Sequence, residues 1–452
     1  MSKSVIQDFT QGPLFKPMLL FSIPFMLSNA FQVLYSMTDM IIVGNYVGKH
    51  GIAAVMSGGF LVMFLMMIGM GMATGGQVMV SQLIGKKEHC KLNHTVGTLT
   101  MLNVYLAIVI SIAAVLLAKP LLKLVNTQAE AFDATYEYLT ICGGGIIFIY
   151  IYNVISAVLR GVGDSVRPFI FLVISSLLNV ALDLLFVAKF GWGAAGAAIA
   201  TVISQAVAMA LAAGYIYWKR REFYLDFTGG FFGCQPSVMK VLFKLGVPFA
   251  VRFGAINISM IFVVALINSV GVAAAAAFGI ALRLDELANK ISQGVMMAVS
   301  TIVGQNIGAG KFDRIRRGVY YAWSICGGFF LIFGMLLYFF PEKMFGFFTD
   351  DRSVLELAPL IVGGLLLHYP ALLIMKGTNG FVQGIGNAFF GLVIALLDGL
   401  VCRIFFSWFL GIYLQMGLYG MVLGYALATY STALPNLFYF LFIPWHKRRT
   451  VV

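Results

Sequence analysis

Twelve long apolar stretches organise the chain, at about 18–43, 52–80, 95–118, 137–159, 169–188, 195–218, 241–270, 272–303, 318–340, 358–382, 391–411 and 417–443. A helix needs roughly 20 apolar residues to cross the hydrocarbon core of a bilayer. These stretches have that length and show no strict alternation of polar and apolar positions. They predict transmembrane helices and exclude a β-barrel. Met1 to Pro17 is polar and lacks the apolar core of a signal peptide, so the first stretch is expected to remain as a span.

Composition agrees: 60% of the 452 residues are hydrophobic and 11% are charged. A soluble domain carries about 25% charged residues, and a disordered one is poor in apolar residues. Five cysteines, odd in number and without a CxxC pair, suggest neither a disulfide framework nor a zinc cage. The net charge of +12 would suggest nucleic acid if the basic residues were clustered without order. They alternate with the spans instead. Nineteen of the 30 Lys and Arg fall on one side of the predicted membrane, among them Lys3, Lys86, Lys87, Arg160, Lys219, Arg220, Lys311, Arg314, Lys447 and Arg449. Six fall on the other: Lys49, Lys119, Lys123, Lys189, Lys343 and Arg352. This bias places both termini in the cytoplasm of a cell (inner) membrane and requires an even number of spans. The charge is a topology signal, and no nucleic-acid partner is expected.

The chain also repeats itself. Ile23-Pro24-Phe25 matches Val247-Pro248-Phe249, and Asn45-x-Val47-Gly48 matches Asn268-x-Val270-Gly271. Gln82-x-Ile84-Gly85 aligns with Gln305-x-Ile307-Gly308 at the same spacing. Arg160-Gly161-Val162-Gly163-Asp164 aligns with Gln383-Gly384-Ile385-Gly386-Asn387, and Gly193-x-x-Gly196 with Gly417-x-x-Gly420. Every offset is 223 or 224 residues, about half the chain. The chain is therefore a duplicated six-helix unit, with an N-lobe over 1–228 and a C-lobe over 229–452. Units with an even helix number share one orientation, so the symmetry axis lies along the membrane normal. Pro24 and Pro248 are expected to interrupt their helices alike.

Ionisable residues at membrane depth mark function by default. Ser28, Gln32, Ser36 and Asp39 share one face of the first helix. Asn179 and Asp183 share a face of the fifth, Thr201 and Gln205 a face of the sixth, and Asn153 lies in the fourth. Two carboxylates with amide and hydroxyl oxygens suit Na⁺, or an acid that trades protons. Plain ion pairing or helix capping is the alternative, but no mid-span Lys or Arg in this half neutralises them. Shifted by the repeat, Asp39 becomes Phe262 or Val263 and Asp183 becomes Phe406 or Ser407. The acids are thus not scaffold features. The second half carries Arg252, Arg283, Asp285, Glu286, His368, Lys376, Asp398 and Arg403. Arg283 and Glu286, three apart, could pair locally, and Asp398 could neutralise Arg252 or Arg403 across helices; the set reads as an internal ion-pair network or as a substrate-cavity lining.

No HExxH, GxSxG or GxxxxGK[ST] motif occurs, so neither an enzyme nor an ATP-driven pump is expected. With Pro24, Thr38-Asp39, Gln82-Leu83-Ile84-Gly85, Leu159-Arg160-Gly161-Val162-Gly163-Asp164 and Val303-Gly304-Gln305-Asn306-Ile307-Gly308-Ala309-Gly310, the sequence resembles the multidrug and toxic compound extrusion (MATE) family. Asn179-x-x-x-Asp183 resembles its DinF-like branch. The resemblance implies an N-lobe cation site of Asp39, Asn179, Asp183 and Thr201, with Asn153 nearby and Na⁺ as a candidate ligand. Acids in helices 7 and 10, as in the NorM-like branch, are missing; Arg252, His368 and Lys376 stand there instead.

The resulting expectation is an all-α polytopic membrane protein with 12 transmembrane helices in two six-helix bundles related by pseudo-twofold symmetry. It would be a secondary-active antiporter that exports amphiphilic, often cationic organic compounds in exchange for Na⁺ or H⁺. A lipid or oligosaccharide-lipid flippase is the alternative. The partners are small amphiphiles and the lipid bilayer, the state is monomeric, and no cofactor is implied.

Overall fold

A computed structural model describes residues 6–228, 231–448 and 450–452, and the backbone alone at 49, 50 and 255–258. Lys3, Arg449, the side chain of Lys49 and the expected lobe boundary at 229 lie outside the described residues. Every regular element among those described is helical. The first half holds α1 (Phe15–Val47), α2 (Lys49–Lys86), α3 (His89–Leu116), α4 (Ala118–Leu124), α5 (Phe132–Gly144), α6 (Ile146–Gly161), α7 (Val166–Asp183) and α8 (Gly193–Trp218). The second holds α9 (Pro236–Asn268), α10 (Val272–Gly308), α11 (Phe312–Phe339), α12 (Pro341–Gly346), α13 (Arg352–Leu355), α14 (Ala358–Gly384), α15 (Ala388–Leu396), α16 (Arg403–Trp408), α17 (Gly417–Ala428) and α18 (Tyr430–Phe442). Single π-helical turns follow α7 (Leu184–Lys189), α15 (Leu397–Cys402) and α16 (Phe409–Tyr413).

Among the described residues nine helices are long and apolar enough to cross a membrane, and a pair bent by 46° at Gly145 makes a tenth. The other two expected spans are α10, diluted by Arg283, Asp285, Glu286 and Lys290, and the last span, broken at Thr429 into α17 and α18. Large apolar side chains such as Leu34, Val109, Leu116, Leu177 and Phe389 stand exposed on the outside. So much bare apolar surface calls for a hydrocarbon solvent.

Contacts divide the chain into two compact units: Met1–Asp8 with Leu27–Ala250 and Val452, and Phe9–Met26 with Val251–Val451. Helices α1 and α9 each contribute to both, changing over just past Pro24 and Pro248. Both helices continue through their prolines, contrary to the expected interruption. A membrane helix held by its neighbours tolerates the one lost hydrogen bond.

Within the first unit, Gly71 and Gly75 let α2 touch the backbone of α9 at Gly246. Within the second, Gly380 and Gly384 of α14 lie against the carbonyls of Met296 and Ser300 on α10, where a Cβ would come within 2.6 Å of each. Small residues four apart allow such close approach where no hydrophobic effect operates between helices.

The duplication is written into the turns. Positive φ recurs at Gly48 and Gly271, Lys87 and Gly310, Gly163 and Gly386, Gly191 and Gln415, and Gly193 and Gly417. After α6, Gly163 N donates to Arg160 O and Asp164 N to Leu159 O; after α14, Gly386 N donates to Gln383 O and Asn387 N to Val382 O. These are the paired hydrogen bonds of a left-handed helix stop.

Candidate functional site

The first unit gathers polar side chains from three helices in an apolar surround. Tyr35 and Asp39 lie one turn apart on α1, Asn179 and Asp183 one turn apart on α7, and Thr201 lies on α8. Asn179 ties them together: its amide nitrogen donates to Asp183 Oδ2 (3.0 Å) and to the Tyr35 hydroxyl (2.9 Å), and its oxygen accepts from Thr201 N (3.1 Å). This orientation gives the Asn179 oxygen a donor and its nitrogen acceptors. The Tyr35 hydroxyl also lies near Thr201. The Asp39 and Asp183 carboxyl groups reach each other. Asp183 is fully buried and Asn179 nearly so.

Asp39 Oδ1 and Asp183 Oδ1 are buried without a hydrogen-bond partner, and neither acid forms a salt bridge among the described residues. Two facing carboxyl groups without a basic partner need a proton or a cation between them, because burying an uncompensated anion is costly. The donor set, two carboxylates with hydroxyl oxygens of Tyr35 and Thr201, is of the hard-oxygen kind that Na⁺ accepts. Asn179 turns its NH₂ to Asp183 here, so it acts as donor and not as ligand in this arrangement. No group of three or more His, Cys, Asp or Glu forms a metal cluster among the described residues.

Asn153, half-buried on α6, makes no hydrogen bond to this group; nor do the exposed Gln32 and half-buried Gln205. Ser36 folds back on the Val33 carbonyl. Tyr35 was missed in the sequence because an aromatic residue counts as apolar. The signal that could have found it is its spacing, four residues before Asp39. Tyr138 and Cys142 of α5 complete the wall, within electrostatic range of Asp39.

The second unit holds a longer polar chain. Arg403 Nη2 bonds both oxygens of Asp398 (3.1 and 3.2 Å), and Thr432 donates to Asp398 Oδ2 (3.0 Å). The Arg403 guanidinium lies 5.0 Å from the centre of the Tyr425 ring. Tyr425 donates to Asp285 Oδ2 (2.9 Å); His368 Nε2 lies 3.6 Å from Asp285 Oδ1, and His368 Nδ1 meets Thr429 (3.0 Å). Lys376 donates to the carbonyl and side-chain oxygens of Asn289. Arg283 and Glu286 do not join. They form a separate exposed pair at 3.2 Å, because three residues along α10 puts them on a different face from buried Asp285.

The MatE family model matches residues 24–185 and again 248–409, so the family's own unit occurs twice, starting at Pro24 and at Pro248. The chain is 26% identical over 98% of its length to a probable multidrug resistance protein, YoeA, of Bacillus subtilis, covering 97% of that protein. It is 27% identical over 96% of its length to a probable multidrug resistance protein, NorM, of Thermotoga maritima, covering 93% of it. Its fold superposes on a MOP-superfamily transporter from Pyrococcus furiosus with a TM-score of 0.91 at 23% identity, over 99% of this chain and 100% of that one. The matched units account for well over half of the residues in two consecutive copies, and the chain belongs to the MatE family of multidrug and toxic compound extrusion transporters.

Proposed function

We propose that the protein is a secondary-active antiporter that exports amphiphilic organic compounds, cationic ones among them, in exchange for Na⁺ or H⁺. The observation that carries this reading is the facing Asp39–Asp183 pair, joined through Asn179 to Tyr35 and Thr201 and lacking a basic partner among the described residues. A coupling cation entering this group satisfies both carboxylates and favours the conformation in which they converge. Substrate affinity changes with that conformation, because two ligands that bias one equilibrium are thermodynamically linked. The family match and the multidrug names of the relatives support export over lipid flipping. The lobes 1–228 and 229–452, cytoplasmic termini, a cell-membrane location, a monomeric state and membership of the DinF-like branch belong to the same reading.

Transport by proteoliposomes under an imposed Na⁺ or H⁺ gradient tests it. Asp39→Asn and Asp183→Asn are each expected to abolish the response to the gradient while the protein still inserts and melts normally. Full response by both variants to either gradient rejects the coupling site.

A further inference from the structure

We propose that the second unit holds an oxyanion-binding site, built on Arg252 and Lys376, that takes the carboxylate, sulfonate or phosphate of an amphiphilic molecule. The inference deepens the transport reading by giving the cargo an anionic group beside any cationic one.

Charge and hydrogen bonding carry it. Lys376 is buried, with 3% residual exposure, and among the described residues its ammonium bonds the two neutral oxygens of Asn289 and no anion. An ammonium taken from water is normally paired with an anion. The carboxylate in its electrostatic reach is Asp285, which already accepts from Tyr425 and faces His368. Arg252 and Lys290 lie in the same reach and add positive charge. Arg252, half-buried on α9, hydrogen-bonds no described residue, so its five N–H donors meet no acceptor among them. Its guanidinium stands next to Gly391 of α15, where a Cβ would come within 3.4 Å of Nη1. The acid near Arg252 is Asp398, which Arg403 and Thr432 already hold. The region thus has guanidinium and ammonium donors in excess of acceptors. A planar fork facing an oxyanion is the geometry in which arginine binds most tightly.

Equilibrium binding tests this without any gradient. The protein is placed in phosphatidylcholine nanodiscs, and the polarisation of two dyes on one ring frame is followed: anionic fluorescein and cationic rhodamine 6G. Native protein is expected to bind fluorescein, and Lys376→Gln and Arg252→Gln each to weaken it about tenfold with rhodamine 6G binding retained. Lys376→Arg, which keeps the charge, is expected to retain fluorescein binding and so controls for misfolding. Added phosphatidylglycerol separates the sources. If it competes with fluorescein in the native protein and not in the double variant, the site takes lipid phosphate; if it does not compete, the site takes the anionic group of the cargo. Either result supports an oxyanion site. Binding is read at equilibrium without any ion gradient, so failure of the ion-coupling reading leaves this result standing. Failure of native protein to bind fluorescein, or unaltered binding in both glutamine variants, overturns the proposal.

Discussion

Arg403 stands 224 residues after Asn179, the interval that separates the two family-matched units. The same shift carries Thr201 to Tyr425 and Asp183 to Ser407. Where the first unit bonds a neutral amide to an acid, the second places a guanidinium against the ring of Tyr425. Its counter-charge, Asp398, comes from the π-helical turn Leu397–Cys402; shifted back by 224 residues, that stretch falls in regular α7. The second unit therefore carries its own permanent cation where the first leaves its acids open.

Removing that cation should expose the dependence. Arg403→Asn leaves Asp398 buried with Thr432 as its remaining partner, and a broken buried pair costs about 3–5 kcal/mol. Thermal unfolding in detergent is expected to drop sharply, and Arg403→Asn with Asp398→Asn is expected to recover most of the loss. A double variant as damaged as the two single losses combined would show that the pair is not the cause.

The Tyr35 hydroxyl accepts from Asn179, which in turn donates to Asp183. Tyr35→Phe removes this acceptor, worth about 1 kcal/mol net. The concentration of coupling ion giving half-maximal transport should rise by about fivefold at an unchanged maximal rate, as read in proteoliposomes. A lower maximal rate with unshifted half-saturation contradicts a positioning role.

Gly97 lies beneath the Phe231 carbonyl, where a Cβ would sit 1.8 Å from the oxygen. Backbone cannot yield as a flexible side chain does, so Gly97→Ala is expected to cost about 3 kcal/mol or more and to lower the melting temperature in detergent. Gly144→Ala, with nothing within 4 Å of the new methyl, serves as the neutral control.

Tyr425→Phe takes the hydroxyl donor from buried Asp285. An acceptor left in that state costs about 1–3 kcal/mol. The loss in melting temperature should shrink when Asp285→Asn is already present. Equal losses in both backgrounds would mean that the hydroxyl matters for another reason.

Arg314 donates to the carbonyls of Phe9, Gln11 and Gly12. Arg314→Ala should release the segment before α1, raising hydrogen exchange at residues 9–12 about tenfold while α10 and α14 keep their protection. Unchanged exchange there would show that Lys311 and Gln305 suffice to hold it.

Four members of the polar cluster on α1, α7 and α8 are legible along the chain. Asp39, Asn179, Asp183 and Thr201 stand out because a polar residue in an apolar run has few neutral explanations, and the repeat shows that the acids are not required by the scaffold. Tyr35 was hidden by its ring. Asn153 passed the same polarity test, yet it makes no bond to the cluster, since depth in the membrane does not specify the direction of a side chain. Arg283 and Glu286 form the local pair that their three-residue spacing suggests, but on an exposed face, outside the buried network.

The amino-acid sequence by itself determined an all-helical membrane protein built twice from one six-helix unit, because hydrophobic length and internal repetition are properties of the chain read in one dimension. Tertiary structure alone decided that Asn179 joins α1, α7 and α8, that Arg403 and not Arg252 takes Asp398, and that Lys376 meets the neutral oxygens of Asn289 and no anion among the described residues. Each of those pairings depends on which helix faces which, and on angstrom-scale separations that packing, not spacing along the chain, sets.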